Sequence, residues 1–127
     1  MENKSLFENL TFVTGNPNKV REASQILGCS LNQGEVDGLI EMQTSDVSEL
    51  VVHKLNQAYE AIGNPVLVED SGLIFRGWNG LPGALVKWFE KSVGCEGMIQ
   101  MLDNFSNREA IAVCYTAVRF GETIKVA

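Results

Sequence analysis

VLVEDSGL, at residues 66–73, is the stretch that decides how this chain folds. Its first three residues are apolar, which predicts a short buried strand. Glu69 and Asp70 follow at the end of that strand, where a desolvated carboxylate needs a cation or a hydrogen-bond donor. Gly72 permits a backbone turn, so we expect a second short strand over residues 73–75. The stretch therefore predicts two adjacent carboxylates in a place where they could hold a hard metal.

A strand, a tight loop and a helix start lie near the N-terminus. Residues 10–14 (LTFVT) predict a buried strand, and Asn16 with Pro17 is typical of a helix start. A strand that runs through Gly15 into a helix directs backbone amides and the positive end of the helix dipole toward one point, where Lys19 can add an ammonium. Such a point can bind phosphate. Because similar turns are common in proteins, a capped helix with an exposed lysine is the alternative interpretation.

Length and composition are those of one ordinary globular domain over residues 1–127, with 45% hydrophobic and 20% charged residues. The net charge of −6 argues against a protein that coats a nucleic-acid polymer, but a nucleotide monomer needs only a few local donors and a metal. No apolar run reaches membrane-spanning length, and no signal peptide is recognisable, so no membrane contact is expected. The three cysteines form no C-x-x-C pair, which favours a reducing cytoplasmic location over a zinc site or a disulfide framework.

The remaining pattern predicts an α/β domain with a mixed sheet flanked by helices. A helix is expected from residue 46 to 62, because Asp46 can cap it and an apolar stripe follows. Alternating apolar residues predict a strand over residues 110–119, and Gly121 could turn a hairpin into residues 123–126. Further helices are expected over residues 17–27, 84–93 and 95–102, with a loop over residues 79–83.

Taken singly, the other polar and aromatic candidates have ordinary explanations. Glu41 could be only a surface acid, and Lys54 could be a lysine that lays its stem along the apolar stripe of its helix. Glu69 and Asp70 could be a solvated acid pair. The aromatic residues expected in the core rather than on a base-stacking platform are Trp78, Trp88 and Phe89.

Five short motifs follow one another along the chain: Thr14-Gly15-Asn16 with Lys19, Glu41, the 66–73 stretch, Gly80-Leu81-Pro82-Gly83, and Lys87-Trp88-Phe89. Taken in this order, they resemble the motifs of the inosine triphosphate pyrophosphatase family. The resemblance runs from about Leu10 to the end of the chain. Members of this family hydrolyse non-standard purine nucleoside triphosphates to monophosphate and pyrophosphate. The resemblance therefore implies an elongated α/β fold of two lobes with a cleft between them, a magnesium requirement and a homodimer.

The resemblance also implies roles for particular residues. The residues that correspond to the triphosphate-binding groups are Thr14, Gly15, Asn16, Lys19 and Lys54. The acids that hold magnesium and help to activate water correspond to Glu41 and Asp70, with Glu69 beside them. Ser71 and Gly72 shape the turn at the substrate site. Such a set suits the reaction, because hydrolysis of a phosphoanhydride mainly requires neutralised phosphate oxygens and an aligned water.

The chain departs from the family at its C-terminus. Members continue past Ala127 with a Phe-Gly-(Trp or Tyr)-Asp-Pro run that grips the base, a late lysine, and a Ser-His-Arg motif that reads purine. We therefore expect either a fragment or a naturally shortened relative, with little preference among bases. The alternative function is a catalytically weak nucleotide-binding or interaction module. A homodimer is expected, because the strand over residues 123–126 would present an open edge.

Overall fold

Six strands form one mixed sheet, flanked by three helices, in the computed structural model, which describes residues 9–127. The elements are β1 (Thr11–Val13), α1 (Pro17–Leu27), β2 (Asn32–Gly34), α2 (Val47–Ile62), β3 (Val66–Phe75), a 3-10 turn (Arg76–Trp78), β4 (Pro82–Gly83), α3 (Val86–Met101), β5 (Ala110–Phe120) and β6 (Thr123–Val126). The sheet order is β2-β1-β3-β5-β6, with β4 paired to the far half of β3. The first three strands in that order are parallel, and β5, β6 and β4 pair antiparallel. The predicted α/β class with a mixed sheet is confirmed.

β3 is one continuous strand, so the prediction of two strands separated by a turn at Gly72 is wrong. β5 pairs with it along its whole length, and the backbone at Gly72 is not in the left-handed region. A Cβ at Gly72 would lie 2.5 Å from Cγ2 of Val47 and 2.7 Å from the carbonyl oxygen of Gly83. Glycine is required here because α2 and β4 approach the strand closely, and not because the chain turns.

The two helices nearest the site begin and end where the sequence predicts. Asn16 caps α1 by accepting the backbone N–H two residues further on, Pro17 occupies the first turn, and Gly28 ends the helix at φ 70°. Asp46 caps α2 by accepting two backbone N–H groups, and Gly63 ends it at φ 75°. Capping groups and left-handed glycines are local signals, which explains why sequence alone located these helix ends.

The second half of the chain holds both a confirmed and a wrong prediction. Gly94 has a non-helical backbone (φ 71°, ψ 179°) and divides α3 into two segments, close to those predicted over residues 84–93 and 95–102. The expected loop over residues 79–83 is wrong at its end, because Pro82–Gly83 pairs with β3 as β4. β2 was not predicted, since a strand of three polar or small residues has no apolar signature.

The core lies in three clusters that determine which side of the sheet each helix covers. Val51, Leu55 and Ala58 of α2 pack against Val66 and Val68 on one face. On the opposite face, α1 packs against the cluster of Leu10, Phe12, Leu31 and Leu67. The third cluster joins α3 to the end of β3 through Phe75, Met98 and Leu102, with Trp78 and Phe89 against it. Trp88 is 56% exposed, so its assignment to the core is wrong.

Candidate active site

The two adjacent acids of β3 point to opposite faces of the sheet, and each meets a lysine there. Side chains alternate along a strand, so Glu69 faces the α1 side and Asp70 faces the α2 side. Lys19 in the first turn of α1 forms an ion pair with Glu69. Lys54 of α2 lies with its Nζ 3.6 Å from Oδ2 of Asp70. The sequence predicts that the two carboxylates lie together at the end of a strand. In the structure the strand continues through both, and each carboxylate forms its own ion pair on a different face of the sheet.

Glu69 is held on both of its carboxylate oxygens. Oε1 binds the Lys19 ammonium, and Oε2 accepts a hydrogen bond from the Cys114 thiol on β5, with Sγ 3.2 Å away. Burial raises the pKa of the Glu69 carboxyl, but the hydrogen bonds from Lys19 and Cys114 outweigh it and hold that pKa below its ordinary value. Glu69 is therefore a fixed anion at neutral pH.

Cys114 is a donor in this arrangement and not a nucleophile. Burial and the hydrogen bond to Glu69 raise the pKa of the thiol above its ordinary value. A reactive cysteine requires a lowered pKa, because the thiolate is the nucleophile.

Asp70 and Lys54 fix the opposite side of the strand. The Lys54 ammonium also donates to the backbone carbonyl oxygen of Glu69 at 3.2 Å, so it links the two acid residues. Oδ1 of Asp70 accepts the backbone N–H of Ser71 at 3.1 Å. Ser71 and Gly72 continue the strand, so their expected role in shaping a turn is wrong; Ser71 instead pairs with Cys114 across the ladder.

The loop before α1 is partly closed by its own hydrogen bonds. The Thr14 hydroxyl accepts the backbone N–H of Asn16 at 3.2 Å, and the Asn16 side chain accepts the N–H of Asn18 at 3.0 Å. Fewer amides are therefore free than the sequence analysis expected. An anion at this helix start would replace the Asn16 cap or use the Lys19 side chain together with the backbone at Gly15.

A cavity of about 370 Å³ joins this loop to α2. We call it the loop cavity; its polar lining comes from Thr14, Gly15, Glu35, Asp37, Glu41 and Lys54. Sequence reasoning missed Glu35 and Asp37. They follow β2, whose carboxyl end lies beside that of β1 because the two strands are parallel. Recognition of β2 would have placed both acids at the edge where open α/β sheets bind ligands.

Glu41 lies where the loop cavity meets a second cavity of about 620 Å³. The second cavity is lined in part by Leu81, Leu85 and Trp88. Oε2 of Glu41 is 3.4 Å from the Nζ of Lys87, an exposed pair. From the sequence, Lys87 was recognised only as part of the Lys87-Trp88-Phe89 motif, with no predicted contact. The structure places its ammonium group beside the Glu41 carboxylate.

Residues 10–127 match the sequence model of the Ham1 family. The chain belongs to this family. Inosine triphosphate pyrophosphatase of Kluyveromyces lactis is 46% identical over 110 residues, which cover 82% of this chain and 57% of that protein. The enzyme of the same name from Saccharomyces cerevisiae is 40% identical and is matched over 90% of this chain and 62% of its own length. The chain thus spans about three fifths of the curated relatives it matches.

Solved structures show the same Ham1 fold. A nucleoside-triphosphatase (dITP/XTP pyrophosphatase) from Mycobacterium abscessus superposes with a TM-score of 0.81 at 18% identity, over 94% of this chain and 70% of that one. The Ham1 protein of Staphylococcus aureus gives a TM-score of 0.76 at 23% identity, over 94% of this chain and 67% of that one. Both the family and the fold predicted from the sequence are confirmed.

The oxygen donors of this Ham1 chain suit a hard cation held through few protein ligands. Among residues 9–127, no three His, Cys, Asp or Glu side chains are grouped so as to hold a metal by themselves. Magnesium commonly takes one or two carboxylates and completes its shell with water and substrate phosphate. Asp70 and Glu41 could supply such carboxylates, whereas a closed zinc site would need nitrogen or sulfur ligands.

The helices of residues 9–127 are all too short or too polar to span a membrane.

Proposed function

We propose that this chain provides the triphosphate-binding and catalytic part of a Mg²⁺-dependent nucleoside triphosphate pyrophosphatase acting on non-standard purine nucleotides. The observation that carries the proposal is the pair of lysine–acid contacts on β3, Lys19 with Glu69 and Lys54 with Asp70, of which Lys54 also lines the loop cavity. The printed names of the relatives, inosine triphosphate pyrophosphatase, support the same reaction.

Each residue has a distinct role in this proposal. Lys19 and Lys54 bring two ammonium groups to the triphosphate, where they neutralise phosphate oxygens as negative charge develops. Asp70 receives a proton from water as that water bonds to the α-phosphorus and the bond to the bridging oxygen breaks. Glu69 keeps Lys19 in place. Asp70 and Glu41 would hold magnesium, which would supply further charge neutralisation on the phosphates.

Release of pyrophosphate from inosine or xanthosine triphosphate in the presence of Mg²⁺ tests the proposal. Asp70→Asn and Lys19→Ala should each lower kcat/KM by at least about a hundredfold, because each removes a group that touches substrate, water or metal. Asp103→Asn is a matched control for Asp70→Asn, since Asp103 is exposed and lies outside the site; it should retain wild-type activity. No pyrophosphate from any nucleoside triphosphate at high enzyme concentration would refute the proposal.

A nucleotide-binding module without efficient turnover is the second candidate. It is favoured by the internal pairing of the site: both lysines already face an acid, and Asn16 already caps α1, so a triphosphate must compete with groups of the chain itself. Calorimetry separates the two candidates. Mg²⁺-dependent binding without turnover supports the module, and turnover excludes it.

Weak base selectivity belongs to the same proposal. A site rejects the wrong base when buried polar groups would be left unpaired, and discrimination then reaches about ten-thousandfold. The polar lining of the loop cavity consists of acids, a lysine and loop residues suited to phosphate and metal. We therefore expect the ratio of kcat/KM for inosine over adenosine triphosphate to stay below about a hundredfold. A larger ratio would show that a base-reading pocket exists.

A cytoplasmic homodimer completes the proposal. All four residues of β6 are exposed, and Ile124 and Val126 present 41% and 42% of their surface on an edge strand. Such an edge can pair with another chain, and a two-fold pair satisfies both copies at once. The three free cysteines suit a reducing compartment. Light scattering that gave a monomer throughout the micromolar range would refute the dimer.

A further inference from the structure

The side-chain amide of Gln57, on α2, binds the backbone of Ile40 at two points. Its Oε1 accepts the Ile40 N–H at 2.8 Å, and its Nε2 donates to the Ile40 carbonyl oxygen at 2.7 Å. The same Nε2 lies 3.0 Å from Nδ1 of His53, one helical turn earlier. With the His53 proton on Nε2, Nδ1 accepts from the amide, and the acceptor and both hydrogens of the amide then have partners. A reversed amide would set donor against donor and acceptor against acceptor at Ile40, so its orientation is determined.

The segment that Gln57 holds is anchored just before Ile40 by Leu39, which packs against the core cluster of α2 and β3. Ile40 lies in irregular chain between β2 and α2, and its side chain is 70% exposed, so burial of that side chain does not anchor the backbone. The next residue is Glu41, which lines the loop cavity together with Lys54. The ion pair of Glu41 with Lys87 is exposed and at 3.4 Å, and such pairs contribute little. The two hydrogen bonds from Gln57 therefore fix the backbone between the packed Leu39 and Glu41.

We propose that Gln57 is a positioning residue that directs Glu41 toward the triphosphate and its metal. Gln57 is not among the residues that line the loop cavity, so it acts through Ile40 and Glu41 and not by contact with substrate. This role rests on the proposed function, because it assumes that Glu41 meets the metal-bound triphosphate. Ground-state binding should depend on it more than the chemical step, since Lys19 and Glu69 hold each other and Asp70 is held by Lys54 and the Ser71 N–H.

Gln57→Met tests the role, because methionine has a similar length and cannot form any of the three hydrogen bonds. Gln100→Met, at an exposed glutamine of α3, is the matched control. Hydrogen exchange of the Ile40 amide should accelerate at least about tenfold in Gln57→Met, since its acceptor is lost. With inosine triphosphate and Mg²⁺, KM should rise about fivefold to tenfold while kcat changes by less than about twofold. His53→Ala removes one of the three partners and should give a smaller rise in KM.

The exchange measurement needs no substrate, so the two claims can fail separately. Unchanged exchange at Ile40 in a folded Gln57→Met protein would overturn the anchoring contact. Faster exchange with an unchanged KM would overturn the positioning role and leave the proposed function standing. A wild-type chain that neither binds nor hydrolyses the triphosphate would overturn the proposed function and this role with it. If Gln57→Met does not fold, Gln57→Ala, which also lacks both groups that bind Ile40, supplies the same two measurements with the same outcomes.

Discussion

Replacement of Gly72 by alanine should destabilise the domain although it adds only one methyl group. The new Cβ would lie 2.5 Å from Cγ2 of Val47 and 2.7 Å from the carbonyl oxygen of Gly83, and ordinary contact begins only at 3.4 Å. The Val47 methyl can shift, but the Gly83 oxygen is backbone and belongs to β4. Gly83 is itself confined, because a Cβ there would lie 2.1 Å from the Ser45 carbonyl oxygen.

The expected loss follows from the cost of overpacking. Extra carbon in a packed interior typically costs about 1–3 kcal/mol, and a clash with backbone belongs at the upper end. Alanine recovers about 0.4–1 kcal/mol by restricting the unfolded chain. We therefore expect Gly72→Ala to lower the free energy of unfolding by about 2 kcal/mol, which corresponds to a fall in Tm of roughly 6–10 °C for a domain of this size.

Urea unfolding followed by tryptophan fluorescence measures this loss, and two further variants sharpen the measurement. Gly15→Ala is the control, because a Cβ there meets nothing within 4 Å; its stability should equal that of the wild type or exceed it by up to about 1 kcal/mol. Val47→Ala combined with Gly72→Ala removes the clash with the movable methyl but keeps the clash with the Gly83 oxygen. The double variant should therefore be about 1 kcal/mol more stable than the sum of the two single-variant losses predicts. A Gly72→Ala protein within about 0.5 kcal/mol of wild type would refute the reasoning.

Two further predictions concern charged groups. Hydrogen bonds from Ser48 and from the helix backbone lower the pKa of Asp46 below its ordinary value of 3.8. The Asp46 carboxylate therefore stabilises the fold above that pH, and this stabilisation is lost as pH falls through the folded pKa. Urea titrations should show Asp46→Ala about 1 kcal/mol less stable at pH 7, and Asp46→Asn close to wild type without this acid sensitivity. The pKa of Glu69 is likewise lowered, so its carboxylate stabilises the fold above pH 4.5, and this stabilisation is lost as pH falls through the folded pKa. Lys19→Met should raise the pKa of Glu69, which NMR titration of the carboxyl group measures. An unchanged pKa would contradict the ion pair.

Local signals in the sequence located most helix ends and the main strands. The Asn16 cap, the left-handed glycines at positions 28 and 63, and the break at Gly94 are each determined by residues within one turn of the position concerned. The strand over residues 110–120 follows from its alternating pattern. The ordered motifs were also sufficient to predict the family, because order and spacing along a chain are visible without its fold.

The arrangement of the candidate site required contacts between distant parts of the chain. Glu69, Asp70, Lys19 and Lys54 are recognisable as candidates from the sequence, but a turn predicted after the two acids put both of them in one place. The unbroken pairing of β3 with β5 sends the two acids to opposite faces, where α1 and α2 each supply one lysine. Only the packed sheet determines which helix covers which face.

The sequence by itself determined most helices and the long strand β5, the family, and the residue types able to bind a triphosphate and a metal. The tertiary structure decided why position 72 is glycine, which acids share a cavity with Lys54, and what anchors the segment before Glu41. The physical reason is the range of the interactions. Caps and periodicity act within a few residues, whereas close backbone approach, side-chain pairing across a sheet and the bond from α2 to Ile40 join groups far apart in the chain.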